Sequence, residues 1–260
     1  MRLLFLGDVV GRPGRRALAA LLPSWREEEH YDFVMANAEN AAGGFGLTPS
    51  VAGELFRAGV DVLTLGNHAF ANREVTPLLE SEPRVLRPAN YPAGVPGRGG
   101  GIFPFGEERV AVLNLLGRVF LDPLDDPFSV AEREVERLKA TTPFVVVDFH
   151  AEATSEKVAM GWFLDGKASA VIGTHTHVQT ADERILPRGT AYITDVGMCG
   201  PRDGILGVER EAVIRRFRTQ MPARFSVAAG PVVVAAVGIH LAPDGRALEI
   251  KRYQVPLDGS

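Results

Sequence analysis

The chain has 260 residues, 46% of them hydrophobic and 23% charged, a near-average globular composition that excludes wholesale disorder, collagen-like repeats and a membrane-embedded chain. At this length folding hides roughly 70–75% of the surface an unfolded chain exposes, so no disulfide staples are needed. The formal net charge of −4 leaves no basic excess to mark duplex DNA or an anionic membrane surface as the main partner.

In chain order, the apolar run at residues 2–7 (RLLFLG) predicts a buried first strand; before Asp8 it is too short for a signal peptide. Pro13 marks a helix start, followed by the apolar stripe Leu18, Leu21 and Leu22. Residues 32–37 form a second strand. Thr48-Pro49 opens a helix carrying Val51, Leu55 and Phe56 and ending at Gly59. Residues 61–65 are a third strand. Three strand–helix units in the first 80 residues argue for a sheet with parallel strands and crossover helices.

Residues 88–101 are rich in Pro and Gly and read as a long loop. Residues 102–105 and 109–115 predict a hairpin around Gly106-Glu107-Glu108. Residues 131–139 and 154–164 read as helices, and residues 144–149, 168–172 and 191–194 as strands. The stretch 225–256 carries two β-rich runs separated by Asp244-Gly245, an antiparallel finish. No repeat and no linker interrupts the pattern, so residues 1–260 are read as one domain. The single cysteine, Cys199, excludes an internal disulfide and a thiolate-rich zinc site and fits a reducing, cytoplasmic compartment. No apolar run reaches 18 residues, so no membrane span is expected.

The informative feature is where the polar residues fall. Asp8 follows the first strand, Glu39-Asn40 the second and Asn67-His68 the third. His150 ends the strand at 144–149, and His175 and His177 follow that at 168–172. Ligands of open α/β sheets bind at the carboxyl ends of the strands, and five strands here bring carboxylates, amides and imidazoles to one rim. Singly, each has a plainer role: a turn cap for Asp8, a left-handed turn for Asn67, a hydrogen-bonded structural residue for His150. Together they read as a metal centre. Carboxylate, amide oxygen and imidazole without thiolate suit Mn, Fe or Zn, and there are more ligands than one ion needs. Two ions bridged by a carboxylate such as Glu39 would use them all. Asp148 and Glu152 flank His150 as candidate orienting groups. The glycine-rich loop at 94–101 reads as a flexible loop more readily than as a phosphate cradle.

The motifs GDVVGRPGR, NAENAAGGFG, LGNHAF, DFHAEATSEK, GTHTHV and TDVGMCGP, in this order along nearly the whole chain, resemble those of the calcineurin-like metallophosphoesterases. More narrowly, they are similar to the YmdB-like bacterial 2′,3′-cyclic-nucleotide phosphodiesterases. The resemblance implies an α/β fold, a four-layer α/β/β/α sandwich of two mixed β-sheets flanked by helices. It implies that Asp8 and His177 bind one ion and Asn67, His150 and His175 a second, with Glu39 bridging. Asn40 matches a residue at the first ion or the substrate phosphate, and His68 matches the proton donor. Fe or Mn is implied, with Zn also compatible, as is a homo-oligomer, for which an exposed apolar patch in the C-terminal β region would serve. The implied reaction converts a 2′,3′-cyclic nucleotide to a 3′-nucleotide; a phosphomonoesterase and a regulatory protein of low activity are the competing readings. RNA as a longer substrate has no basic aromatic stripe to support it. The chain departs from the wider pattern at Val10, where an imidazole ligand is expected, at Phe70-Ala71-Asn72, where an acidic helper of His68 is expected, and at Arg202-Asp203-Gly204.

Overall fold

Strand and helix alternate through the first third of the computed structural model, which describes residues 1–258. The elements there are β1 (Arg2–Leu6), β2 (Asp8–Val9), α1 (Gly11–Glu28), β3 (Phe33–Asn37), α2 (Pro49–Arg57), β4 (Val62–Thr64), α3 (Val75–Ser81) and β5 (Val85–Leu86). The middle adds β6 (Gly100–Phe105), β7 (Glu108–Leu116), α4 (Pro127–Lys139), β8 (Val145–His150), α5 (Thr154–Phe163) and β9 (Ala170–Thr174). The last third holds β10 (Arg184–Ile185), β11 (Ala191–Ile193), β12 (Met198–Pro201), α6 (Arg210–Thr219), β13 (Val232–Leu241) and β14 (Ala247–Leu257).

Two mixed sheets result. One runs β2-β12-β13-β1-β3-β4-β5, with β14 attached to β13; the other runs β10-β11-β9-β8-β7-β6. Strands β1, β3, β4 and β5 are parallel, whereas β13 is antiparallel to β1 and to β14, the antiparallel finish expected. After Arg2, the run LLFL is apolar throughout because both its faces are covered. Leu3 and Phe5 join Met35, Val112, Val146, Ile172 and Ile193 between the two sheets. Leu4 and Leu6 face outward against Leu18, Leu22 and Leu55 of α1 and α2. On the far side, Val135, Leu138 and Met160 of α4 and α5 cover Leu113, Val145 and Val147. The layers are therefore α/β/β/α, the sandwich expected.

Several boundaries differ from the sequence reading. Helix α1 begins at Gly11 rather than Pro13, and α4 begins at Pro127, where the Asp126 carboxylate accepts the Phe128 and Ser129 N–H groups. Helices α3 and α6 have no counterpart in that reading. The hairpin turn is only Gly106-Glu107, since Glu108 already pairs with Phe105 and Gly106 supplies the positive φ of 56° that such tight turns favour. The loop at 88–101 is held rather than loose: the Arg87 guanidinium donates to the carbonyls of Pro88, Val95, Pro96 and Gly97. Carbonyls turned inward toward a cation cannot cradle a phosphate. In the C-terminal β-hairpin the expected apolar patch shrinks to Leu248, while two further exposed apolar residues, Ile214 and Phe217, lie on α6. Among the described residues no helix is long and apolar enough to cross a membrane.

Candidate metal centre

Both sheets end in polar residues at the same rim. Sheet one contributes Asp8 in β2, Glu39 and Asn40 after β3, and Asn67 and His68 after β4. Sheet two contributes His150, the last residue of β8, and His175 and His177 just beyond β9. Asp8, Glu39, Asn40 and His150 are buried.

Four lone-pair atoms gather around one point. His150 Nε2 lies 3.0 Å from Glu39 Oε1, 3.0 Å from Asn67 Oδ1 and 3.0 Å from His175 Nδ1, and Glu39, His150 and His175 together have the spacing of a metal-ligand set. Acceptors crowd in this way only when a proton or a cation stands among them. A second group adjoins the first. Asp8 Oδ1 lies 3.8 Å from both His150 Nδ1 and His177 Nε2, and Asn40 Nδ2 is 3.0 Å from His177 Nε2. Asp8 Oδ1 and Asn40 Oδ1 are buried with no hydrogen-bond partner; orphaned acceptors of this kind are costly unless a donor or cation answers them. Space for an ion is kept by Gly66, where a Cβ would stand 2.3 Å from His150 Nε2 and 2.5 Å from Glu39 Oε2. The donor chemistry, the orphaned oxygens and the glycine hollow all fit bound cations.

Each imidazole is held in the tautomer that a ligand needs. The Thr174 hydroxyl donates to Asp148 Oδ1 at 2.7 Å, so at 2.9 Å from His150 Nδ1 it can only accept. In the neutral ring the proton is therefore on Nδ1, and Nε2 offers its lone pair to the centre. His175 Nε2 donates to Glu152 at 2.8 Å and turns Nδ1 inward. His177 Nδ1 donates to the Leu206 carbonyl at 3.0 Å and turns Nε2 inward. Asp148 thus acts through Thr174, and also accepts from Thr64 and Asn37.

The electrostatics follow from burial and pairing. Burial alone would lower His150, but the carboxylates of Glu39 and Asp8 outweigh it and push the ring up to about 9. Burial opposes ionisation of Glu39, yet His150 and His68 hold its carboxyl at about 2. For Asp8 burial wins, lifting it to about 6 against the pull of His177 and His150. Burial, then repulsion from His150, lowers His175 to about 3 and keeps it neutral.

His175 and His177 do not converge by strand alternation. They leave β9 in a turn with φ of 105° and 64°, a region costly for residues with a Cβ and found where surrounding structure enforces it. Here the enforcing group is a buried ion pair that sequence reasoning missed. Lys157 and Asp195, each 1% exposed, meet at 2.6 Å. Lys157 Nζ also donates to the Thr174 carbonyl, and Asp195 accepts from the Thr176 and Gly197 N–H groups. The turn is clamped on both sides. Both residues stand inside sequence motifs, but only the fold shows them meeting across 38 positions.

His68 lies outside the ligand cluster. Its backbone N–H donates to Glu39 Oε2 at 2.9 Å, its Nε2 is 3.3 Å from Asn67 Nδ2, and its ring stands edge-on to Phe45, centroids 5.0 Å apart. Val10, where an imidazole is expected by resemblance, is a core residue packed with Met198, Val227 and Val233. Phe70 stands edge-on to Tyr91, centroids 5.3 Å apart. Cys199 is buried, donates to the Ala235 carbonyl and is pushed up to about 12 by burial, a packing residue.

A Bacillus subtilis protein named 2′,3′-cyclic-nucleotide 2′-phosphodiesterase is 51% identical over 93% of this chain and 91% of its own. A crystal structure of a hypothetical protein from Thermus thermophilus superposes with TM-score 0.94 at 47% identity, covering 98% of this chain and 99% of that one. A structure described as a novel phosphatase from Mycoplasma pneumoniae gives TM-score 0.93 at 33% identity, covering 99% and 94%. With the family model for YmdB-like proteins matching residues 4–253, the chain belongs to the YmdB-like family.

Proposed function

We propose that this protein is a metal-dependent phosphodiesterase that opens 2′,3′-cyclic nucleotides to 3′-nucleotides, working as one domain over residues 1–260. The observation that carries the reading is the gathering of Glu39, Asn67 and His175 acceptors about His150 Nε2, in a chain half identical to a protein named for that activity. Asp8, Asn40 and His177 would hold one cation and Asn67, His150 and His175 the other, with Glu39 between them. Fe and Mn suit this donor set best, and Zn is compatible. Such ions activate water near neutral pH and neutralise phosphate oxygens.

The chain's own residues supply the rest. Asp148, Glu152 and the Leu206 carbonyl keep the three imidazoles aimed inward through the reaction. Water adds to phosphorus and gives up a proton to solvent while the P–O2′ bond breaks, the electron pair of that bond passing to O2′. His68, tethered to Glu39 by its backbone yet outside the ligand cluster, donates the proton that makes the 2′-hydroxyl. The choice of the P–O2′ bond follows the name of the Bacillus relative. The cytoplasm suits a chain whose only cysteine is free, and the family resemblance extends to a homo-oligomer.

A phosphomonoesterase on the same site is the second reading, favoured by the description of the Mycoplasma structure as a phosphatase. Incubating Mn²⁺-loaded protein with 2′,3′-cyclic AMP and with 3′-AMP separates the two. Release of 3′-AMP that accumulates and is abolished by chelation supports the diesterase. Phosphate release from 3′-AMP at a comparable rate supports the monoesterase, and 2′-AMP as product contradicts the bond assignment.

A further inference from the structure

A cavity of about 740 Å³ lies between α1, Gly43 and residues 224–230; its lining includes none of the candidate ligands but adjoins the segments that carry Asn40 and hold His177. Its position is fixed by contacts. Gly43, in its wall, belongs to the loop that carries Glu39 and Asn40, and the Gly11 N–H at the start of α1 donates to the Asn40 carbonyl at 2.9 Å. Ala228, in the opposite wall, donates to the Gly207 carbonyl at 2.9 Å, next to the Leu206 carbonyl that holds His177. From there the cavity follows α1, with Arg12, Arg16 and Ala20 along one helical stripe, a span of roughly 12 Å. The facing wall brings in Arg224 and Phe225, and the Arg216 guanidinium stands 5.4 Å from the Phe225 ring centroid.

Arg12, Arg16 and Arg224 are exposed, and none forms an ion pair among the described residues. Asp258 is the acidic residue in the lining. In a chain of net charge −4, three unpaired guanidinium groups and an aromatic ring along one groove are a local device. The sequence hides it because Arg224 lies more than 200 positions from its partners.

We propose that this groove binds the nucleotides preceding a 2′,3′-cyclic phosphate at the 3′ end of an RNA strand, making cyclic-phosphate-terminated RNA a substrate of the adjacent centre. The proposal rests on the diesterase reading above. A terminal 2′,3′-cyclic phosphate forms when an RNA 2′-hydroxyl attacks its own 3′-phosphodiester: the new P–O2′ bond closes the ring, the P–O5′ bond breaks, and O5′ takes up the proton. RNA cleavage by internal transesterification is therefore the class of reaction that supplies this substrate. The strand leading to such an end carries a phosphate per nucleotide away from the centre, and the groove leads away from it with guanidinium forks suited to phosphate. Phe225 offers a face on which a base stacks.

The test compares wild type with the double variant Arg16→Glu/Arg224→Glu. With Mn²⁺-loaded protein, a pentaribonucleotide ending in a 2′,3′-cyclic phosphate is expected to show kcat/KM at least tenfold above 2′,3′-cyclic AMP. The variant should lose that advantage while hydrolysing 2′,3′-cyclic AMP within twofold of wild type, which also shows that it folds. Separately, anisotropy of a 5′-labelled pentaribonucleotide ending in a 3′-phosphate should show binding that weakens with salt. The log–log slope should be shallower in the variant by about 1.4, about 0.7 for each lost phosphate contact. Equal kcat/KM for the two substrates, an advantage retained by the variant, or a changed oligomeric state with unchanged RNA binding overturns the groove. Absence of cyclic AMP hydrolysis in wild type overturns the diesterase reading instead, and the anisotropy still decides whether the groove binds RNA.

Discussion

Gly66 shows how one residue can be required by what it lacks. The sequence around it, LGNH, carries the proposed ligand Asn67 and the proposed acid His68, but the glycine touches the centre through its missing side chain. In Gly66→Ala a Cβ would stand 2.3 Å from His150 Nε2 and 2.5 Å from Glu39 Oε2, closer than any packed contact. The expected result is Mn²⁺ binding weakened by about 100-fold or more with unchanged circular dichroism; titration showing wild-type affinity would refute it. His68→Ala tests the opposite case, a residue proposed to lie near the ions without binding them. Its kcat on 2′,3′-cyclic AMP should fall by about 10²–10⁴ while Mn²⁺ affinity stays unchanged. On a p-nitrophenyl phosphodiester, whose leaving group needs no proton, the loss should be much smaller. An equal loss on both substrates would remove His68 from the acid role.

At the scale of the element, the turn after β9 is where sequence and structure diverge most usefully. The two histidines of GTHTHV are legible as ligands by type, but their common direction comes from left-handed backbone at both positions. That conformation is enforced by Lys157 of α5 and by Asp195 just beyond β11. Asp195→Asn leaves the Lys157 ammonium buried without a counter-charge, a change that costs about 3–5 kcal/mol. Urea unfolding should show that loss, and the same variant should bind Mn²⁺ more weakly because the turn is released. A stability change below about 1 kcal/mol would show that the pair does not clamp the turn. The longer strands and four of the six helices are readable because their apolar runs and stripes leave a plain signal, as in residues 3–6, whereas the short strands β2, β5, β10 and β12 have no run long enough to read. Helix α6 is not, because Val213 is its one buried residue and a helix with so little to bury has no apolar stripe to read.

Across the whole molecule, the centre is a rim where polar side chains of both sheets meet. Asp8, Glu39, Asn40 and Asn67 come from one sheet, and His150, His175 and His177 from the other, so a cation bound among them ties the sheet ends together. Metal binding is then also folding free energy, and it competes with protons. His150, pushed up to about 9 by Glu39 and Asp8, carries a proton at neutral pH that an arriving ion must expel. His175, lowered to about 3, has none to lose. Affinity should therefore rise with pH from about 7 to 9, roughly tenfold per unit for each proton displaced, and level off above. Below about 6 the protonation of Asp8 should weaken it further. Thermal melts with and without Mn²⁺ are the direct check: the gain in Tm should be larger at pH 8.5 than at pH 6, and calorimetry in buffers of different ionisation enthalpy should show proton release on binding at pH 7.5. An equal gain at both pH values, with no proton release, would mean that the proton on His150 and the cation do not compete for the same lone pair, and the assignment of Nε2 as a ligand would fall with it.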